Sequence, residues 1–391
     1  MSTTARTLPF DRPDPLRPPP AYARLRASEP VASVTSEDGR PAWLVTSYDA
    51  VAKVLSDSRF AMAPPGEAHP DNDTLFQDGE AHLRLRRLVS KAFTPRSVAA
   101  LRPRVARLAD DLVADLAASG PPADLVATLA APLSITVIGE LFGVAIDERA
   151  HFRTLADAVG AVNFFDEESA AAAAAAWTDF GGYVAGLVAA KRENLGDDLL
   201  SALIAVRDAD DGRLSDGELV AMASTIVGAG YMTATNAVSV GTMRLIAEGQ
   251  LTGLAVCDPD QVEAAVEEVL RMQAGLTGEP FPRYAGEDLE LAGVSIAAGD
   301  MVLARIEAAG HDPAHFADPD SFLPGRKSSP PLTFGHGLHY CLGAALARVE
   351  VAAALRALAV RLPGLKLQGT VDDVVWTRGV DVGPTALHVT W

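Results

Sequence analysis

The sequence has few cysteines and no long hydrophobic segment. Only two of its 391 residues are cysteine, Cys257 and Cys341, and two distant cysteines do not make the disulfide framework of a small secreted protein. No apolar run approaches the ~20 residues that a membrane-spanning helix needs. Residues 1–20 are polar and proline-rich, without the apolar core of a signal peptide. These absences predict a soluble, cytoplasmic protein.

Positive charge is also scarce. The chain has 33 Lys and Arg against 51 Asp and Glu, so its formal net charge is -18. Such a charge repels the phosphates of nucleic acids and the headgroups of anionic lipids. We therefore expect neither nucleic acid nor a membrane as a partner.

The chain is long enough to bury a large core. Its length alone would allow two or three domains, but no linker is visible, so we predict one domain over residues 1–391. Six prolines predict an extended N-terminus over residues 1–20. Helical periodicity dominates the remainder, at 124–145, 148–160, 218–248 and 344–362, whereas alternation over 289–306 predicts a small antiparallel sheet. The expected fold class is mainly α with small β-sheets.

The most informative stretch surrounds Cys341. Residues 334–350 read Phe-Gly-His-Gly-Leu-His-Tyr-Cys-Leu-Gly-Ala-Ala-Leu-Ala-Arg-Val-Glu, which predicts a tight loop followed by a helix. At such a junction the free N–H groups of the helix favour a thiolate, the form of cysteine that binds metals. Gly337 and Gly343 would let a flat group approach the backbone. A lone cysteine is more often a small buried hydrophobic residue, and the specific surrounding pattern argues against that interpretation here.

Two helical segments carry further candidate sites. His82 and Arg86 share one helix face because they are four residues apart, and eight Lys or Arg but no Asp or Glu lie between 82 and 107. Such a run is usually only a solvated face. In the predicted helix 218–248, the segment Gly228-Ala-Gly-Tyr-Met-Thr-Ala-Thr-Asn236 allows two interpretations. Its glycines mark either a close-packing site or kink, or a local opening in which the hydroxyl of Thr233 faces a ligand.

These segments together resemble the cytochromes P450. The stretch 334–350 matches the haem-binding loop of that family at every defining position, and the order of the other segments is also that of the family. The resemblance implies a triangular, helix-rich single domain that binds haem b, with the thiolate of Cys341 as the axial iron ligand. The loop residues that this match assigns to the cofactor are Phe334, Gly335, His339, Cys341 and Gly343. Propionate contacts are implied for His82, Arg86, Arg283 and His339.

The resemblance also assigns the segment around Thr233 to oxygen binding. Ala229, Gly230 and Thr233 fit the family pattern, but Met232 stands where an Asp or Glu is expected. That acid helps to relay protons, and methionine cannot carry one; water, the substrate or another side chain would have to supply the route. A further implied feature is a buried structural set of charges, made of Glu268, Arg271 and Arg326.

The implied activity is that of a monooxygenase in secondary metabolism. It would hydroxylate or epoxidise a small lipophilic molecule with dioxygen and with NAD(P)H-derived electrons, delivered by a separate ferredoxin and ferredoxin reductase. Arg84, Arg87, Lys91 and Arg96 are candidates for docking the acidic donor. Two alternatives stay open: oxidative coupling or rearrangement without oxygen insertion, motivated by Met232, and a catalytically weak haem-binding protein. Phe164 and Phe165 would lie near a mobile lid, and loop 275–282 would contact substrate.

Overall fold

The computed structural model describes residues 6–67, 74–90, 93–160, 167–196, 198–208, 214–273, 281–377 and 382–391. Helices predominate in these residues and the sheets are small, so the predicted fold class is confirmed. The chain divides into two compact units, of which the first contains Met1–Pro70, Asp258–Cys341 and Val371–Asp373 and the second contains the rest. The single domain over residues 1–391 stays a prediction.

The secondary structure follows the chain as short strands between longer helices. The α-helices are α1 (Pro20–Ser28), α2 (Tyr48–Ser56), α3 (Gly79–Val89), α4 (Pro95–Ser119), α5 (Ala131–Leu141), α6 (Arg149–Gly160), α7 (Glu167–Glu193), α8 (Leu199–Asp208), α9 (Asp216–Ala247), α10 (Pro259–Gln273), α11 (Ile306–Gly310) and α12 (Ala344–Arg361). The strands are β1 (Val31–Thr35), β2 (Pro41–Val45), β3 (Phe60–Ala61), β4 (Ala123–Asp124), β5 (Arg283–Ala285), β6 (Leu289–Leu291), β7 (Val294–Ile296), β8 (Met301–Ala304), β9 (Lys366–Leu367) and β10 (His388–Thr390).

The first unit is organised around a five-stranded sheet with the order β1-β2-β8-β5-β3. Strands β1 and β2 form an antiparallel hairpin, and β5 pairs antiparallel with both β8 and β3. Strand β8, however, runs parallel to β2, with Leu44 opposite Leu303. The predicted antiparallel sheet over 289–306 is therefore correct for the β6–β7 hairpin and incomplete for β8. Helix α2 packs Val51 and Val54 into the core beneath this sheet.

The second unit is a helical assembly around α9. A capping box starts this helix: the Ser215 hydroxyl accepts from the Glu218 N–H at 3.1 Å, and the Glu218 carboxylate accepts from the Ser215 N–H at 2.8 Å. From there α9 runs for 32 residues. The buried residues of its first half share one hydrophobic core with residues of α3, α5, α6, α7 and α8, which holds the middle of α9 in place.

No helix among the described residues has both the length and the apolar composition needed to cross a bilayer.

Candidate active site

The loop that carries Cys341 is shaped by its backbone. The Cys341 N–H donates to the Phe334 carbonyl at 2.8 Å, and Gly335 and Gly337 both have φ of 74°, in the left-handed region that favours glycine. A Cβ on Gly337 would lie 2.7 Å from the Leu55 carbonyl oxygen at the end of α2, which leaves no room for a side chain. The thiol of Cys341 is exposed. The loop therefore presents a free cysteine sulfur from a backbone with little freedom to rearrange.

Other residues predicted to contact the cofactor lie near this loop in sequence or elsewhere in the first unit. The ring of Phe334 packs edge to face with Tyr340, with centroids 6.5 Å apart, and His339 ends a short 3-10 turn. Arg283 begins β5 and is buried, and its guanidinium donates to the Phe281 carbonyl at 2.8 Å. In the second unit, Gly343 directly precedes α12, and a Cβ placed on it would meet no atom within 4 Å.

Glu268, Arg271 and Arg326 form one buried charged cluster in the first unit. Arg271 donates through Nε and Nη2 to the two Glu268 oxygens at 2.8 Å each, and Arg326 Nη2 donates to Oε1 at 3.0 Å. Burial alone would raise the pKa of Glu268, but the hydrogen bonds from the two arginines outweigh that effect, so the pKa lies below its ordinary value. The Leu323 N–H also donates to Glu268 at 3.0 Å. This cluster joins α10 to the segment that precedes the cysteine loop.

Helix α3 of the second unit carries His82 and Arg86 one turn apart. His82 is buried, and its Nδ1 lies 3.1 Å from the Leu75 carbonyl; because a carbonyl oxygen only accepts, Nδ1 bears a proton. Arg86 is half-buried. The face thus combines an oriented imidazole with a guanidinium, two groups suited to an anion.

The basic run on α3 and α4 is only partly available to a partner protein. Arg84 donates to the carboxylate of Glu218 at the start of α9, and this contact, together with the hydrogen bonds from Ser215, lowers the Glu218 pKa against the opposing effect of burial. Arg87 and Arg96 are exposed. Lys91 lies outside the described residues, as do Phe164, Phe165 and residues 275–280.

The middle of α9 contains an exposed notch. Between residues 219 and 245, Ala229 and Thr233 are exposed while their neighbours are buried or half-buried, and the Thr233 hydroxyl donates to the Ala229 carbonyl at 2.6 Å. The helix is continuous here, so the local opening considered from the sequence is absent, although Thr233 does face outward. Met232 is half-buried and packs against the helical core.

The glycines of this segment are close-packing sites. A Cβ on Gly230 would lie 2.7 Å from the end of the Ile138 side chain of α5, and one on Gly228 would lie 3.0 Å from the Trp177 ring of α7. Small residues therefore bring α5 and α7 close to α9 at the turn that carries Thr233.

Sequence reasoning missed the environment of Glu350 on α12. This residue is 2% exposed, and its Oε2 makes no hydrogen bond among the described residues. Burial raises its pKa to about 8, although the Ser134 hydroxyl of α5 opposes the shift. The only sequence signal is a single Glu within the apolar face of a helix.

We expect Glu350→Gln to stabilise the protein in a pH-dependent manner. Because the folded pKa is raised, the unfolded chain binds fewer protons between the two pKa values, and stability falls as pH rises from about 4.5 to about 8. The glutamine variant should match the parent near pH ~5 and exceed its free energy of unfolding by about 2 kcal/mol near pH ~8.

Urea unfolding of the holoprotein at both pH values measures this difference. The control is Glu290→Gln on exposed β6, which should change stability little at either pH. A Glu350→Gln effect of equal size at both pH values would contradict a buried neutral carboxyl.

Comparison with known proteins gives matches over nearly the whole chain. The family model described as Cytochrome P450 matches residues 36–250 and 261–360. The nocardicin C N-oxygenase of Nocardia uniformis subsp. tsuyamanensis is 38% identical over 400 residues, covering 100% of this chain and 99% of that protein. The mycinamicin IV hydroxylase/epoxidase of Micromonospora griseorubida is 39% identical over 400 residues, covering 100% of each. Among solved structures, SgvP, a proposed thioether synthase in griseoviridin tailoring, has a TM-score of 0.90 at 38% identity and covers 100% of both chains.

Proposed function

The chain belongs to the cytochrome P450 family, and from this membership we propose that it oxygenates a small lipophilic molecule in secondary metabolism. As a member it is an oxidoreductase that uses haem b with a cysteine thiolate, dioxygen and electrons derived from NAD(P)H. The observation that carries the proposal is the exposed thiol of Cys341 in its glycine-shaped loop. The hydroxylase/epoxidase activity named for one relative supports the reaction type.

The residues present fit a haem. Cys341 is a soft sulfur ligand at an exposed position, and the open space beside Gly343 leaves room for a bulky planar group. We assign the axial position to Cys341 and the propionates to His82, Arg86, Arg283 and His339, because a guanidinium fork pairs with a carboxylate through two hydrogen bonds. The bound haem supplies the reductive activation of dioxygen.

Thr233 positions water and protons in this proposal. Its hydroxyl proton is engaged by the Ala229 carbonyl, so its oxygen remains an acceptor that can orient a water molecule on the exposed face of α9. Ala229 adds no bulk to that face, which leaves space for a substrate. Since Met232 is half-buried against the core, water ordered by Thr233 replaces the acid as the source of protons.

A ligand screen followed by product analysis tests the function. Natural-product scaffolds that shift the haem spin state of the ferric protein are incubated with a surrogate ferredoxin, its reductase and NAD(P)H. An oxygenase yields a product one oxygen atom heavier than the scaffold. If no scaffold gave an oxygenated product although the reduced protein bound carbon monoxide as a thiolate-ligated haem, oxygenation would be contradicted.

Oxidative coupling is the second candidate. Methionine at position 232 and the overall similarity to SgvP favour it. The same screen distinguishes the two, because a coupled product is two hydrogen atoms lighter than the scaffold. Met232→Glu should raise the product formed per electron pair if oxygenation is the native reaction, and an unchanged ratio would show that this position has no part in proton delivery.

We propose that a separate ferredoxin docks on the exposed cations of α3 and α4. Arg87→Glu should slow reduction by the ferredoxin about three- to tenfold at low ionic strength and much less at high salt, because salt screens exposed charges. Stopped-flow reduction at several salt concentrations measures the effect.

The matched control for this experiment is Arg361→Glu, which makes the same change of charge at an exposed position at the end of α12. It should leave the reduction rate near that of the parent. Equal slowing by both variants would assign the effect to net charge and reject docking at Arg87.

A further inference from the structure

Three helices contact α9 within one turn of Thr233. Trp177 of α7 lies against Gly228, Ile138 of α5 lies against Gly230, and the hydroxyl of Tyr231 donates to the carboxylate of Asp157 on α6. The exposed notch of Ala229 and Thr233 occupies the remaining side. The backbone that carries Thr233 is therefore positioned from behind by neighbouring helices.

The contact with α6 differs in kind from the other two. Packing of a side chain on a glycine is non-directional and allows small sliding movements, whereas a hydrogen bond from a phenol to a carboxylate fixes both distance and direction. Tyr231 is 2% exposed. Burial and the adjacent carboxylate raise its pKa, so the phenol keeps its proton and remains a donor. This bond is the directional restraint among the three contacts.

Asp157 is itself held by its own helix. Arg153, one turn earlier on α6, places its Nε 3.5 Å from Asp157 Oδ2. Helix α6 is further joined to α7 by stacked aromatic rings, with Phe152 6.0 Å from Phe180 and 5.8 Å from Tyr183 between centroids. A displacement of α6 therefore moves Asp157 as part of a larger block.

Tyr231 and Thr233 lie on opposite sides of α9. Two residues correspond to about 200° of rotation in an α-helix. A pull on the Tyr231 hydroxyl therefore tilts or rotates the turn that presents Thr233, and the glycine contacts resist this movement only weakly.

We propose that Tyr231 and Asp157 are positioning residues that set the orientation of Thr233 according to the position of α6. The proposal rests on the proposed haem function of the Thr233 side, and it assigns no chemical step to either residue. Loss of the hydrogen bond should loosen this turn of α9 while the remaining core stays packed.

The main variants are Tyr231→Phe, which removes only the hydroxyl, and Asp157→Ala, which removes the acceptor. Asp157→Asn keeps an acceptor oxygen and should restore most of the parent behaviour. The control is Tyr183→Phe, which removes another phenol–carboxylate hydrogen bond of the α6–α7 block, the 3.2 Å contact with Glu148, but none to α9.

Hydrogen exchange of the holoprotein is the first readout. Amides 230–236 should exchange about three- to tenfold faster in Tyr231→Phe and Asp157→Ala, as expected when a restraint on local opening is lost. They should exchange at the parent rate in Tyr183→Phe. Parent-like exchange in Tyr231→Phe, or equal acceleration in Tyr183→Phe, would overturn the proposal.

The second readout is the C–O stretching band of the reduced carbon monoxide complex, which responds to polar groups facing the bound probe. The band should shift or broaden in Tyr231→Phe and Asp157→Ala and stay unchanged in Tyr183→Phe. An unchanged band in Tyr231→Phe would also overturn the inference. If the parent protein itself formed no such complex, the proposed haem function would fail, and the exchange experiment would still decide whether Tyr231 restrains α9.

Discussion

Replacing Cys341 with serine is expected to remove the thiolate-specific absorption band of the reduced carbon monoxide complex. Oxygenation should fall by on the order of a thousandfold, as it does when an essential catalytic group is lost. The reason is chemical: a serine hydroxyl lacks the polarisable, readily ionised sulfur that pushes electron density to the iron. The loop itself should survive, because the hydrogen bond from residue 341 to the Phe334 carbonyl is made by the backbone.

Cys257→Ser provides the matched control. Cys257 is half-buried, its Sγ contacts the Gly253 carbonyl at 3.3 Å, and Arg356 binds only its backbone oxygen. This variant should keep both the band and the turnover of the parent. A Cys341→Ser protein that retained the thiolate band, measured beside this control, would rule out Cys341 as the axial ligand.

Replacing Glu268 with methionine is expected to give the largest loss of stability. Arg271 and Arg326 would then keep their buried positive charges without the carboxylate that now accepts from both. Removing one partner of a buried charged set costs about 3–5 kcal/mol. The free energy of unfolding of the holoprotein, measured in urea, should fall by this amount.

Two comparisons isolate the cause of that loss. The double variant Glu268→Met with Arg271→Met should be less destabilised than the single Glu268 variant, because apolar side chains replace the central pair. Arg104→Met, which breaks the exposed pair with Glu140, should cost less than about 1 kcal/mol. A double variant that lost as much as the sum of the two single changes would contradict stranded charge as the cause.

The features that could be predicted from the sequence are those encoded in local spacing. The loop before α12 depends on glycines within a few residues of Cys341, and the start of α9 depends on Ser215 and Glu218, three positions apart. Both are short-range patterns whose geometry follows from backbone sterics and from orphan N–H groups. The roles of the individual residues at the haem stay predictions.

The features that could not be predicted depend on long-range packing. Strand β8 pairs in parallel with β2, although the segments are remote in sequence and alternation alone does not specify direction. Tyr231 finds Asp157 across 74 residues, and Arg84 finds Glu218 across 134. A charge run or a helical period shows which residues share a face, but the partner of that face is set by how the helices pack.

The fit of Gly337 against the end of α2 has a consequence for protein engineering. Because the backbone of Leu55 and Ser56 fills the space where a side chain would stand, the height of the cysteine sulfur is referenced to the last turn of α2. A designer who grafts the cysteine loop onto another scaffold would need to transplant that turn as well, since the smallest portable unit comprises both pieces of chain.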